Sequence, residues 1–218
     1  MRQIIFNMKK SFLLPAALFF ATGVALTSCS DDEAPVLTLT GEKEVTFDLG
    51  EAKDPGATAT DNKDDEITPT SNWATAVKIN EVNTYTVEYV AEDEAGNSTK
   101  DTRTVKVKAD KLGGTYTATD VVSGASDPSF NGTYNYNMTV SASSDTYNKL
   151  ILSNLGGFSS TFTATVTGTS LTIASQSIPG TSESISGTGQ YDGTTKKLTS
   201  ITYTAGAFGS GTISLSKL

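Results

Sequence analysis

The second half of the chain alternates apolar and polar residues with a period of two, and this alternation most strongly limits the possible folds. Successive side chains of a β-strand point to opposite faces of a sheet, so the pattern predicts half-buried strands. Turn residues such as Gly156-Gly157 and Pro179-Gly180 interrupt it at short intervals. We predict strands at 115–122, 131–141, 148–155, 159–167, 170–176, 183–191, 197–205 and 209–216. Short connections between successive strands are typical of an antiparallel up-and-down meander, and closure into a barrel removes its exposed edges.

Composition supports an all-β chain and excludes several kinds of chemistry. Thr occurs 35 times among 218 residues, and β-branched residues favour strands. The chain has no His, so Ser-His-Asp and Cys-His nucleophiles and His-ligated zinc are excluded. Its single Cys excludes an intrachain disulfide. The sequence also contains no Gly-x-Ser-x-Gly motif and no phosphate-binding loop, so we predict a protein that is not an enzyme and holds neither a cofactor nor a metal.

Charge divides the chain into two domains. Residues 29–110 contain 19 acidic and 8 basic residues, a net charge of −11, whereas residues 111–218 contain 5 of each. Such a change in composition marks a domain boundary. We predict a signal peptide at 1–28, an acidic tether at 29–34, a first domain at 35–108, a linker at 109–114 and a second domain at 115–218. The acidic first domain would repel nucleic acid, which we exclude as a partner.

The first 29 residues have the pattern of a targeting segment. Basic residues precede an apolar run, from 11 to 26, that is shorter than the roughly 20 residues of a membrane-spanning helix. The run ends in Leu26-Thr27-Ser28-Cys29, which resembles the lipobox of bacterial lipoproteins. This resemblance implies cleavage before Cys29 and acylation of Cys29, whose acyl chains would hold the protein on a membrane. An ordinary secretory signal followed by a chance Cys is the alternative.

An acidic segment follows the predicted lipidation site. Ser30, Asp31, Asp32 and Glu33 resemble the export signal of Bacteroidetes surface lipoproteins. That resemblance implies a protein anchored in the outer membrane by its lipid and facing the cell exterior. A solvated, acidic tether without a targeting role is the alternative.

The first domain contains a predicted hairpin. Tyr85-Thr86-Val87-Glu88-Tyr89 and Arg103-Thr104-Val105-Lys106-Val107 alternate as strands, and Glu94-Ala95-Gly96-Asn97 forms the turn region between them. These segments resemble the bacterial Ig-like domain known from a pesticidal crystal protein and from surface lipoproteins. The resemblance implies a β-sandwich that acts as a spacer or binding module and has no catalytic role.

A cluster of acidic residues in the first domain raises the question of calcium. Asp61, Asp64, Asp65 and Glu66 lie close together in sequence, and Asp93 and Asn97 could join them from another loop. The spacing does not match an EF-hand loop, because Lys63 occupies the third position and Gly is missing from the sixth. We therefore interpret the cluster as a solvated turn and predict no metal.

The second domain resembles a calycin or lipocalin-like barrel in its number of strands and in Gly114-Thr115-Tyr116 at its first strand. Tyr116 stands where lipocalins carry Trp, and Lys217 stands in the last strand, which lacks the usual Arg. The interior of an eight-stranded barrel admits side chains or one small ligand. The candidate ligand-binding residues on the apolar face are Tyr134, Tyr136, Tyr191 and Tyr203. Their rings either fill the barrel core or stack on the apolar face of a sugar.

These patterns together predict an all-β chain with an Ig-like β-sandwich followed by an eight-stranded antiparallel barrel or meander. The predicted function is non-catalytic binding or display at the cell surface, with the sandwich as a spacer and a polysaccharide as one candidate ligand. The alternative is a structural or assembly lipoprotein of the outer membrane, with a solid barrel and only envelope proteins as partners.

Overall fold

A computed structural model describes residues 31–63 and 67–218, and it confirms the predicted all-β class. The elements before residue 109 are β1 Val36–Leu39, β2 Glu44–Asp48, β3 Ala57–Thr60, β4 Thr70–Ser71, α1 Trp73–Ala76, β5 Asn83–Glu92 and β6 Ser98–Lys108. The strands after it are β7 Gly114–Ser123, β8 Gly132–Ala142, β9 Lys149–Ser153, β10 Thr161–Thr167, β11 Ser170–Ser177, β12 Ser184–Asp192, β13 Lys197–Thr204 and β14 Ser210–Lys217.

The N-terminal sheets form a small sandwich. Strands β5 and β6 are the predicted hairpin and pair antiparallel from Asn83 opposite Val107 to Glu92 opposite Ser98. Strand β2 lies parallel to β6, β4 extends the sheet beyond β5, and β1 pairs with β3 to form the second sheet. The residues buried in the sandwich core are Val77, Val87, Tyr89 and Val105. Apolar packing therefore holds this part of the chain together without a disulfide.

The C-terminal strands form a closed barrel in which each strand pairs with its neighbours in sequence and β14 pairs with β7. The observed strand bounds agree with the predicted ones to within two residues. Large apolar side chains point inward, and Tyr116, Met138 and Leu171 are fully buried near the end that faces the sandwich. The barrel is therefore solid at that end.

The sandwich and the barrel share a hydrophobic core. Leu49, Val82 and Val107 of the sandwich pack into the same cluster as the barrel interior. The segment predicted as a linker, 109–114, contributes to this core, because Ala109 and Leu112 are fully buried. Residues 31–218 accordingly form one compact unit.

Polar contacts reinforce the junction between the sandwich and the barrel. Val82 and Gly168 exchange backbone hydrogen bonds, with N···O distances of 3.1 and 2.9 Å. Lys111 pairs with Asp48 at 3.3 Å and with Glu51 at 3.1 Å. These acidic residues belong to the sandwich, so the lysine partly offsets the negative charge of that domain at the contact.

The first and last barrel strands meet around Tyr116. Its hydroxyl donates to the carbonyl oxygen of Leu112 at 2.7 Å, and Lys217 Nζ lies 5.8 Å from the centre of its ring. Lys217 Nζ also donates to the carbonyl oxygen of Lys111 at 2.9 Å. Lys217 of the last strand thus lies over the ring of Tyr116 in the first strand, where the barrel closes.

No helix within residues 31–63 and 67–218 has the length and apolar character needed to cross a membrane.

Candidate functional site

A cavity of about 400 Å³ opens at the end of the barrel away from the sandwich, which we call the distal end. Strand ends place the connections 124–131, 154–160, 178–183 and 205–209 around this opening. The residues that line the cavity are Val122, Phe130, Tyr134, Asn135, Tyr136, Gly156, Gly157, Phe158, Tyr203 and Phe208. The barrel is therefore hollow at one end and solid at the other.

Three distal connections each contribute a phenylalanine to the cavity wall. Short 3₁₀ turns at Pro128–Phe130 and Gly206–Phe208 end in such a residue, and Phe158 directly follows a third, Leu155–Gly157. Phe130 and Phe208 pack edge to face with ring centroids 5.6 Å apart, and Phe158 and Phe208 do so at 5.4 Å. Such packing stabilises the loop conformations and leaves ring surface exposed to the cavity.

A buried carboxylate lies beneath the tyrosines of the cavity. Asp120, on the inner face of β7, is only 1% exposed. Its Oδ2 accepts hydrogen bonds from the hydroxyls of Tyr203, at 2.7 Å, and Tyr136, at 3.0 Å. No group among the described residues donates to Oδ1. Buried polar atoms nearly always have a partner, so the unpartnered oxygen marks this residue as unusual.

Burial controls the protonation of this cluster. Desolvation raises the pKa of the Asp120 carboxyl above its ordinary value, while the hydrogen bonds from Tyr203 and Tyr136 oppose the rise. Desolvation, reinforced by the nearby Asp120, also raises the pKa of both phenols. Both tyrosine hydroxyls therefore stay protonated at neutral pH and act as hydrogen-bond donors to Asp120.

Glycine makes room for one of these tyrosines. A Cβ added to Gly211 on β14 would overlap the ring of Tyr203. Any larger residue at this position would push the ring away from Asp120. The absence of a side chain here is therefore part of the geometry of the site.

The structure brings three of the four predicted tyrosines together. Tyr134, Tyr136 and Tyr203 line the distal cavity. Tyr191 lies at the opposite end, where its hydroxyl accepts from the backbone N–H of Val82 at 2.8 Å and donates to the carbonyl of Gly168. Its hydroxyl thus joins the barrel to the sandwich.

Sequence reasoning missed Asp120 and the three phenylalanines. A signal for Asp120 was present, because it follows Tyr116 and Ala118 at alternate, inward-facing positions of β7. A charged residue in an apolar register is a reason to look for a function. The phenylalanines lie between strands and carry no periodic signal.

The acidic residues near the start of the described chain form a second cluster. Carboxylate oxygens of Asp31, Asp61 and Asp93 lie within 4.8 Å of one another. Several of these oxygens already have protein partners: Lys63 Nζ lies 3.2 Å from Asp31, and the Asn97 side-chain amide donates to Asp93 at 2.8 Å. These interactions are those expected of a structured turn.

Part of the predicted targeting region lies outside the described residues. This applies to the signal peptide at 1–28, to Cys29 and to Ser30, and also to residues 64–66 of the acidic cluster. Asp31, Asp32 and Glu33 are described, and the backbone carbonyl of Asp31 accepts a hydrogen bond from Asn97 at 2.9 Å. The tether therefore joins the sandwich beside the turn between β5 and β6.

Comparisons with known proteins bear on the sandwich. No curated protein matches the chain significantly. The crystal structure of a lipoprotein from Bacteroides thetaiotaomicron is similar with a TM-score of 0.35 and 17% identity, over 84% of this chain and 100% of that one. Residues 37–107 match the family described as bacterial surface protein, Ig-like domain. The predicted resemblance of the first domain to a bacterial Ig-like domain is thereby confirmed.

Proposed function

We propose that this chain is a non-catalytic binding protein displayed on the bacterial cell surface, and that the distal cavity of its barrel holds a small ligand. The observation that carries the proposal is the cavity itself, with its aromatic wall above a buried carboxylate. Its volume of about 400 Å³ lies within the range of small-molecule sites, which have mostly apolar linings and a few placed polar groups.

The chemistry of the cavity favours binding over catalysis. None of its lining residues is acidic or basic. Asp120 lies beneath them as a single carboxyl group, whereas glycoside hydrolysis uses a pair of carboxyl groups on either side of the bond. Because the chain has no His, the tyrosines also have no imidazole to act as a base.

The arrangement of the two folds suits a spacer with a binding site at its end. The chain enters the sandwich beside the turn between β5 and β6, and the other end of β5 leads into the contact with the barrel. The ten residues of β5 span roughly 33 Å. A lipid on Cys29 would therefore leave the distal cavity directed away from the membrane.

Ligand binding is tested with a substitution whose larger side chain fills the cavity. Val122 lines the cavity, whereas its neighbour Val121 points outward and is 54% exposed. We expect calorimetric titration of residues 31–218 with methyl glucoside, phenethyl alcohol and phenethylamine to detect binding of at least one probe. Val122→Trp should abolish that binding, and the matched control Val121→Trp should keep it. Absence of binding to wild type, or equal binding by Val122→Trp, would contradict the proposal.

The surface anchor is tested separately in cells. The full chain should partition with membranes and carry acyl groups detectable by mass spectrometry, and Cys29→Ser should release it to the soluble fraction. Protease added to intact cells should degrade the wild-type protein. Recovery of unacylated wild type in the medium, or its protection from protease, would contradict this part of the proposal.

A structural role is the second candidate, favoured by exposed apolar side chains at the distal end. Val121 on the outer face is 54% exposed, and Phe130 and Tyr134 at the cavity are 45% and 42% exposed. Exposed apolar surface is typical of contacts between proteins. If envelope proteins are the true partners, Val121→Ser should reduce their co-purification with this chain, and Val122→Trp should have no effect on it.

A further inference from the structure

We infer that the distal cavity selects organic cations, an ammonium group on an apolar or aromatic body, over neutral and anionic molecules of similar size. The inference rests on the proposed function and specifies the ligand class of the same site. Four features of the described residues support it: an unpartnered buried oxygen, the direction of the tyrosine hydrogen bonds, the aromatic wall and the distribution of charge along the barrel.

No cation of the described residues pairs with the buried carboxylate. Asp120 is 1% exposed, its Oδ2 receives two phenolic hydrogen bonds, and its Oδ1 receives none from the described residues. By contrast Asp48, which is less buried, is paired with Lys108 and Lys111. A buried anion without a counter-ion is costly, and a cationic ligand above it would offset that cost.

The hydroxyl protons of the cavity tyrosines are all engaged in hydrogen bonds within the protein. Tyr136 and Tyr203 donate to Asp120, and Tyr134 donates to the carbonyl oxygen of Phe130 at 3.0 Å. A phenol has one proton, so each oxygen can offer a ligand only a lone pair. The phenol oxygens of Tyr134, Tyr136 and Tyr203 therefore face a ligand as hydrogen-bond acceptors. A ligand that donates hydrogen bonds, as ammonium does, matches these acceptors.

The amide of the wall does not change this preference. Asn135 alternates with Tyr134 and Tyr136 along β8, so its side chain points to the outer face of the barrel. There its Oδ1 accepts a hydrogen bond from Thr119 at 2.8 Å. The amide is therefore directed away from a ligand in the cavity.

The aromatic wall also favours a positive charge. Phe130, Phe158 and Phe208 present ring surface from three separate connections, and three tyrosines complete the lining. The face of an aromatic ring carries partial negative charge and attracts ammonium groups, most strongly where water is excluded. Rings on several sides of one cavity add their attractions.

Charge is unevenly distributed along the barrel, although the 111–218 half has no net charge. Its basic residues all lie at or near the sandwich end: Lys111, Lys149, Lys196, Lys197 and Lys217. The four distal connections contain no Lys or Arg but include Asp127 and Glu183, and Asp120 lies beneath the cavity. The distal opening therefore has a negative potential that attracts cations and repels anions.

The test compares probes that share one ring and differ in charge. Calorimetric titration of residues 31–218 with phenethylamine, phenethyl alcohol and phenylacetate should give affinities in that order, with the amine about tenfold tighter than the alcohol. Asp120→Asn should remove the preference by weakening only the amine. The matched control Asp127→Asn, at an exposed distal acid, should change the ratio by less than about threefold.

Each outcome has a definite meaning. If the alcohol or methyl glucoside binds as tightly as the amine, the inference is wrong while the proposed function stands. If Asp120→Asn fails to fold, the order of the three probes on wild type decides alone. If none of the probes binds wild type, both the inference and the proposed function are contradicted.

Discussion

Arg103 on β6 is a fully buried cation. Its replacement by Met should destabilise the sandwich more than a substitution at the surface does. Its guanidinium donates to the carbonyl oxygens of Glu42 at 3.0 Å and Thr40 at 2.7 Å and to the Tyr89 hydroxyl at 3.0 Å. It also lies 5.2 Å from the centre of the Tyr89 ring and 3.9 Å from Asp54. These interactions tie the hairpin of β5 and β6 to the segments around β1 to β3.

The expected destabilisation follows from the hydrogen bonds that the guanidinium makes and Met cannot replace. Three hydrogen bonds from a charged donor contribute about 1.5–3 kcal/mol each. Burial of Met avoids the cost of dehydrating a guanidinium, and this saving offsets several kcal/mol of the loss. The carbonyl oxygens of Glu42 and Thr40 nevertheless lose the guanidinium as their donor. We therefore expect Arg103→Met to lower the free energy of unfolding by about 3 kcal/mol, a large part of the 5–15 kcal/mol typical of a domain.

The assay is urea denaturation of residues 31–218 followed by the fluorescence of Trp73, the single Trp of the chain, which packs against the sandwich core. Lys100→Met is the matched control, because Lys100 pairs with Glu88 at 3.1 Å through side chains that are 58% and 46% exposed. Loss of such a pair should cost less than about 1 kcal/mol. A surface ion pair contributes at most about 1 kcal/mol. If the free energies of unfolding of Arg103→Met and Lys100→Met differ by less than about 1 kcal/mol, the reasoning is refuted.

Two further predictions concern the barrel. The pKa of the Asp120 carboxyl is higher in the folded protein than in the unfolded chain, where it is about 3.9. Protonation of Asp120 therefore stabilises the fold fully below this pH, and the stabilisation is lost as the pH rises through the folded-state pKa. Wild type should therefore lose stability relative to Asp120→Asn as pH rises from about 4, and a difference independent of pH would contradict this. Gly211→Ala should displace Tyr203, lower the free energy of unfolding by about 1–3 kcal/mol and weaken ligand binding in the same titration. A wild-type melting temperature with unchanged binding would show that the ring has room to move.

The strands were predictable because their signal is local. Alternation and turn residues place the eight strands 114–217 without knowledge of their partners, and the same holds for the hairpin of β5 and β6. The segment 109–114 shows the limit of such reasoning. Its polar and glycine residues predict a short polar linker, and they give no sign that Leu112 is buried in the core shared by the barrel and the sandwich.

The binding site was predictable only in part, for a geometric reason. Alternation predicts that Tyr191 and Tyr203 both face the inside of the barrel. It does not predict which end of the barrel each ring lies at, or which residues surround it there. Tyr191 is near the end of β12 that faces the sandwich, and Tyr203 is near the distal end of β13. Only the pairing of antiparallel strands puts Tyr203 beside Tyr136 and Tyr191 beside Val82.

The sequence by itself determined the all-β class, the strand positions, the charge asymmetry between the halves and the Ig-like character of the first domain, because each depends on residues close together in the chain. Tertiary structure alone decided that the barrel is hollow at its distal end and that Asp120 lies there beneath two tyrosines. Asp120 and Tyr136 lie on the adjacent strands β7 and β8, but Tyr203 on β13 is 83 residues from Asp120 in sequence. The contact of Tyr203 with Asp120 therefore forms only once β14 pairs with β7 and closes the sheet.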